Sequence, residues 1–142
     1  MICLDTNVLS ELMHKTPDTN VVAWLDKQPR TSVWTTSISV LEVRYGLYIL
    51  ADGKRRDFMT AIFDRVLNDY VAGRMAAFDG AAAERAAELM ALRRRKGRQL
   101  EFRDAMIAGI VVDRNATLAT RNTADFDDLT APVINPWLAE AF

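Results

Sequence analysis

This sequence predicts an α/β fold, a three-layer α/β/α sandwich around a central parallel sheet of four to five strands, and three observations carry that prediction. Short apolar or β-branched segments alternate with longer helical ones along the whole chain, which is the rhythm of strand–helix–strand units. The 142 residues suit one compact domain, and 50% hydrophobic residues supply a core. No repeat, low-complexity tract or linker divides the chain, so residues 1–142 are expected to form a single domain.

The elements follow in order. Residues 1–4 (MICL) are apolar and read as the first strand. Residues 6–13 form a short helix and 21–27 another, stopped near Pro29. Residues 32–36 (SVWTT) are rich in β-branched side chains and give the second strand. The pattern turns helical over 40–50, with apolar Leu41, Tyr45 and Tyr48, and halts at Asp52-Gly53. Residues 55–71 make an amphipathic helix with Phe58, Ile62, Val66 and Leu67 on one stripe. A third strand at 75–78 precedes an alanine-rich helix over 81–95 that ends before Gly97. Residues 103–114 are helical, 117–120 form a fourth strand, and 132–134 suit a short edge strand.

Composition excludes several classes. The single cysteine, Cys3, forms no intramolecular disulfide and reads as a small core residue of a protein in a reducing cytoplasm. No basic leader precedes the first strand, and the apolar run at 105–112 is far shorter than a membrane span. His14, the only histidine, sits at a helix end and reads as a surface cation rather than a catalytic base. Net charge is −1, which does not by itself mark a nucleic-acid binder. Basic clusters do occur at Lys54-Arg55-Arg56 and from Arg93, Arg94 and Arg95 to Arg98, followed by Arg103. They read either as solvated helix faces or as a phosphate-binding rim to which Arg44 would add.

The acids are informative by position. Ligands of parallel sheets bind beyond the carboxyl ends of the strands. Asp5 ends the first strand, Glu42 lies one turn into the helix after the second, and Asn122 and Asp125 follow the fourth. Asp104 stands in the first turn of its helix on the face of Ile107, Ala108 and Val111, so it points inward at the rim. Each also has a local reading: Asp5 as an N-cap, Ser39-x-x-Glu42 as a capping box, Asp104 as a dipole partner, Asp125 as a turn residue. Asp79, before the alanine-rich helix, is read only as an N-cap.

Convergence changes that balance. Two carboxylates about 5 Å apart at an effective dielectric of about 20 repel by roughly 3 kcal/mol. A cluster therefore needs protons, arginines or a cation. All-oxygen donors without histidine or thiolate suit Mg²⁺ or Mn²⁺, which complete their shell with water and phosphate. Thr6, Asn7, Ser37, Ser39 and Asn122 are placed to orient such carboxylates. The chemistry narrows to phosphoryl transfer or phosphodiester hydrolysis. Aspartate-based phosphatases also end their first strand on an acid, but they carry a second aspartate two residues on, where this chain has Asn7.

The segments LDTNVL, TSISVLEVRYGL, FRDAMIAGIV and LATRNTADF together resemble, in order and spacing, the PIN-domain family, and within it the VapC and FitB type ribonuclease toxins of bacterial toxin–antitoxin modules. The resemblance implies a PIN fold, cleavage of single-stranded RNA with Mg²⁺ or Mn²⁺, a homodimer, and a cognate antitoxin. By position, Asp5, Glu42 and Asp104 match the three main acids of the family. Many members have an acid where this chain has Asn122; Asp125 is the nearby carboxylate, read as a peripheral ligand. Asp5 and Asp104 are then expected to hold the ion, with Glu42 acting through water, on a second ion, or as the proton acceptor. The alternative is a PIN-like domain that binds RNA or protein without cutting.

Overall fold

The computed structural model describes residues 1–139; the last three residues of the expected domain lie outside the described residues. Five strands form one sheet: β1 (Ile2–Leu4), β2 (Val33–Thr36), β3 (Met75–Ala76), β4 (Thr117–Ala119) and β5 (Val133–Ile134). Their spatial order is β3-β2-β1-β4-β5, and every pairing is parallel. The chain therefore builds outward from β1 in one direction, then returns to its other side through β4. That reversal creates a switch point between β1 and β4, where a crevice opens beyond the strands' carboxyl ends.

Helices α1 (Thr6–Leu12), α2 (Thr19–Asp26), α3 (Ser37–Tyr48), α4 (Lys54–Val66), α5 (Gly80–Arg95) and α6 (Phe102–Asp113) cover the sheet. Side chains alternate across each strand, so Leu4, Val33 and Ala119 enter one core with α1, α2 and α4, while Cys3 and Leu118 enter the other with α6. Both faces are buried, which is why the strands read as apolar runs. Burial also pushes the Cys3 thiol up to about 11, in keeping with an inert core residue. The second core is thin because α5 and α6 touch at small residues: a Cβ on Gly109 would lie 2.4 Å from the Ala82 carbonyl oxygen and 2.9 Å from Ala86 Cβ.

Several boundaries differ from the sequence expectation for identifiable reasons. The helix after β2 begins at Ser37, not at residue 40, because Thr36 is its N-cap and accepts from Ser39 N at 3.1 Å. The capping box anticipated from Ser39 and Glu42 is thus not formed. Leu41, Tyr45 and Tyr48 do not face the core; they are 57%, 65% and 67% exposed, and Ile38, Val43 and Leu47 are buried instead. Phe58 is likewise exposed on α4, where Phe63 and Val66 are buried. The long helix expected over 55–71 ends as α4 at Val66 and continues through Leu67–Val71 as a π turn, closed by Ala72 N donating to Leu67 O at 2.7 Å. Asp79 caps α5 as expected, accepting from Ala82 N at 3.0 Å.

Candidate active site

Asp5 is the first residue beyond β1, and its N–H donates to Ala119 O at 2.9 Å, carrying the β1–β4 ladder one step past the strand. Its side chain is buried at the switch point and held from three directions. Thr120 Oγ1 donates to Oδ2 at 2.7 Å, Thr6 N donates to Oδ1 at 2.7 Å, and Asn7 Nδ2 reaches Oδ2 at 3.4 Å. The N-cap reading and the site reading of Asp5 therefore hold together. Asn7 ties the two sides of the crevice: its amide also donates to Thr120 Oγ1 at 3.3 Å, and its Oδ1 accepts from Arg121 N at 3.2 Å. The position where a phosphatase would place its second acid is thus occupied by a brace.

Around Asp5 opens a cleft of about 650 Å³ whose lining includes Thr6, Asn7, Glu42, Arg103, Asp104, Arg121, Asn122 and Asp125. The four acids singled out in the sequence meet here, from the end of β1, the second turn of α3, the first turn of α6 and the Thr123–Phe126 turn after β4. Glu11 and Glu101 add two more carboxylates at the rim. Their effect on one another is repulsive. Asp104 is pushed up to about 6, first by burial and then by Asp5, Glu101, Asp125 and Glu42. Asp5 is raised by burial, against the three bonds it accepts. Glu42 is raised by burial and by Asp5, although Arg103 pairs with it at 3.3 Å and pulls the other way.

Two observations test whether these residues fit a divalent cation. Apart from His14, which is bound to Glu11 at the rim, the donors at the cleft are carboxylate, hydroxyl and amide oxygens, the set that Mg²⁺ and Mn²⁺ prefer. In addition, the buried Thr6 hydroxyl stands in the cleft wall beside Glu42 and bonds toward that carboxylate, so its oxygen joins the same donor set. Among the described residues no three carboxylate, thiol or imidazole side chains form a ready-made metal cage. Mg²⁺ does not require one, because it is usually held by one or two carboxylates with water and phosphate completing the octahedron. The residues fit the group.

The structure corrects part of the basic rim. Arg93 is 2% exposed and paired with Asp128 at 2.6 and 3.0 Å, so it is neither a solvated face nor a free phosphate contact, although its edge touches the cleft. Arg44 pairs with Asp64 at 2.6 Å over the Phe63 ring and is not among the cleft-lining residues. Arg94 and Arg95 are exposed on α5. Ser39 is buried against Thr36, and Ser37 Oγ accepts from Phe78 N at 3.1 Å; neither lines the cleft. Arg103 does line it, bound to Glu42 and, at 3.7 Å, to Glu101.

Other residues emerge only in three dimensions. Arg121 reaches the cleft wall with its guanidinium 4.9 Å from the Trp137 ring, and among the described residues it has no carboxylate partner. Trp137 Nε1 donates to Glu11 at 3.3 Å, and His14 bonds the same carboxylate at 2.7 Å, so the lone histidine is a rim residue. Thr120 had a signal in the sequence, as the last residue of the fourth strand facing Asp5 across the sheet. Glu11, Arg121 and Trp137 had none, because Glu11 and Trp137 are 126 residues apart and Arg121 meets the Trp137 ring only where the chain folds back past β5.

The chain thus falls in the class of parallel α/β proteins with an acidic crevice at the switch point of the sheet. The family model described as the PIN domain matches residues 2–131, and this chain belongs to the PIN-domain family. It is similar to the "VapC ribonuclease Y4jK" of Sinorhizobium fredii, 37% identical over 96% of this chain and 98% of that one. It is also similar to "Toxin FitB" of Neisseria gonorrhoeae, 34% identical over 96% of this chain and 99% of that one. Among solved structures, a chain of FitAB bound to an IR36 DNA fragment superposes with a TM-score of 0.88 at 34% identity, covering 99% of this chain and 98% of that one. No helix among the described residues is long and apolar enough to cross a membrane.

Proposed function

We propose that this protein is a Mg²⁺- or Mn²⁺-dependent endoribonuclease that hydrolyses phosphodiester bonds of single-stranded RNA, as the toxin of a toxin–antitoxin pair. The observation that carries the reading is the meeting of Asp5, Glu42 and Asp104 in one crevice of a PIN domain. The relatives named as a VapC ribonuclease and as the toxin FitB support the substrate and the role. The FitAB complex on DNA supports a cognate antitoxin as partner. A homodimer in the cytoplasm completes the proposal, and the exposed Leu41, Tyr45, Tyr48 and Ile49 leave apolar surface for protein contacts.

Asp5 and Asp104 would hold the ion, with Asp125 as a peripheral oxygen and Thr6 and Asn122 beside it. A bound divalent cation supplies a water of lowered pKa and neutralises charge on the phosphate. Glu42, raised by its burial, is suited to accept the proton of the attacking water. Arg121, which has no carboxylate partner among the described residues and is steadied on Trp137, takes the RNA phosphate, while Arg103 stays paired with Glu42 and Glu101 at the edge of the cleft. Thr120 and Asn7 keep the Asp5 carboxylate aimed while this happens. Water is the nucleophile, the P–O3′ bond breaks and the 3′-oxygen leaves with a proton, so the products carry 5′-phosphate and 3′-hydroxyl ends.

The deciding experiment is cleavage of single-stranded RNA with and without Mg²⁺ or Mn²⁺, with end-group analysis, on wild type and on folded Asp5→Asn and Asp104→Asn. Metal-dependent cutting that both variants lose supports the reading. Cyclic 2′,3′-phosphate ends, or cutting indifferent to the two substitutions, would overturn it, and RNA binding without cutting would establish the non-catalytic alternative.

A further inference from the structure

We infer that Arg93 and Arg98 act as a positioning clamp, holding the Thr123–Phe126 turn by its backbone so that Asp125 is presented to the cleft. The inference rests on the reading of Asp125 as a peripheral oxygen for the ion.

The turn has little to fix it from within. Its N-terminal residue Asn122 makes no side-chain cap, Asp125 and Asn122 are exposed, and only Phe126 is anchored in the core. The fixing comes from α5. The buried Arg93 guanidinium donates to the Asp125 carbonyl oxygen while binding both Asp128 oxygens. Arg98 Nη2 donates to the Ala124 carbonyl oxygen at 2.7 Å, and Nη1 to Asp127 Oδ1 at 2.8 Å. Two consecutive carbonyls, 124 and 125, are therefore taken by two guanidiniums, and the two aspartates that follow the turn are bound by the same pair.

The two arginines are themselves held in register. Gly97 adopts φ +69 after the last turn of α5, Arg98 N donates to Arg93 O at 2.8 Å, and Gly97 N donates to Arg94 O at 3.0 Å. This is a Schellman stop, in which the residue after the left-handed glycine bonds back to the third-last helical carbonyl. It fixes the start of the Arg98 side chain relative to Arg93. An arginine is required at both places because one planar fork must serve a carbonyl and a carboxylate together, which a lysine ammonium does less well. Arg93 is buried and serves the fold as well, but Arg98 is on the surface, where an ion pair adds little to stability. Position and folding can therefore be separated at Arg98.

The test measures Mn²⁺ binding by calorimetry on the full chain, for wild type, Arg98→Gln, Asp125→Asn and the double variant, with thermal melts as a control. Arg98→Gln is expected to melt within a degree or two of wild type and to bind Mn²⁺ about tenfold more weakly, the low end of what removing a ligand's support costs. In the Asp125→Asn background the same change is expected to add nothing, and Arg98→Lys to recover part of the loss. On RNA, the loss should appear in the Mn²⁺ concentration for half-maximal cleavage and not in the KM for RNA. If Arg98→Gln is silent while Asp125→Asn weakens binding, or if the two effects simply add, the clamp is wrong and the role of Asp125 stands. If Asp125→Asn itself leaves Mn²⁺ binding unchanged, the reading of Asp125 falls, and the clamp with it.

Discussion

Replacing Asp104 by asparagine should stabilise the cation-free protein while abolishing its activity. Asp104 is pushed up to about 6 from an ordinary 3.8 by burial and by four neighbouring acids, and among the described residues no donor hydrogen-bonds its carboxylate. The folded state therefore binds the Asp104 proton more tightly than the unfolded chain does. Between about pH 4 and pH 6 the native state carries more protons, so stability falls as pH rises through that window and the full penalty is felt above it. A difference of about two units corresponds to roughly 3 kcal/mol. Asp104 is only half-buried, and solvent screening brings the figure nearer 1 to 2 kcal/mol. With unfolding entropy of about 2.1 cal/mol/K per residue, that is a rise of about 5 °C in Tm. The assay is thermal or urea unfolding in EDTA at pH 7.5 and again near pH 4. The gain should be present at the higher pH and shrink to a small remainder near pH 4, where the folded protein holds Asp104 protonated. Saturating Mn²⁺ should stabilise the wild type far more than the variant, since only a state that binds the ligand is favoured by it. An Asp104→Asn protein that is no more stable than wild type at pH 7.5, or equally favoured at both pH values, would refute the burial and repulsion that raise Asp104.

Further outcomes follow from other parts of the structure. Arg121→Ala should raise the KM for RNA and lower the slope of log affinity against log salt by about one, the loss of one phosphate contact, whereas Arg44→Ala should leave that slope unchanged. Asp128→Asn should cost about 3 kcal/mol or more in urea unfolding, because it leaves the buried Arg93 without its carboxylate. Gly109→Val should destabilise by at least about 1 to 3 kcal/mol in the same measurement, since its Cβ meets the backbone of α5 rather than a side chain that can rotate away.

What the sequence made legible was governed by local rules, and what it hid was governed by contacts across the chain. The strands were readable because parallel strands buried on both faces are short apolar runs, and Asp5, Glu42 and Asp104 because each stands at a fixed offset from a strand or helix start. Arg93 shows the opposite case. In a run of arginines it looks solvated like Arg94 and Arg95, and only the helix phase that points it at Asp128 makes it a core residue. The α3 stripe failed for a related reason. Leu41, Tyr45 and Tyr48 form a helical row as regular as the buried one, and periodicity alone does not say which row meets the sheet. The capping box failed because the helix starts at Ser37, with Thr36 as its cap, which leaves Ser39 already inside the first turn.

The treatment of the four acids explains how a domain of this size tolerates them. Asp5 is fully committed to donors, Glu42 is partly offset by Arg103, and Asp125 sits exposed on a turn that is held from behind. Among the described residues Asp104 has neither a donor nor an arginine for its carboxylate, and unlike the exposed Asp125 it is half-buried, so its ionisation is opposed by burial and by its neighbours together. Burial first and then four neighbouring acids thus act on the Asp104 carboxylate, and the proposed cation would relieve both. A sequence selected only for stability would put a neutral residue there, as Asp104→Asn does. A carboxylate that costs stability where a neutral residue would not is what the proposed cation site requires, in a frame that elsewhere obeys its local rules.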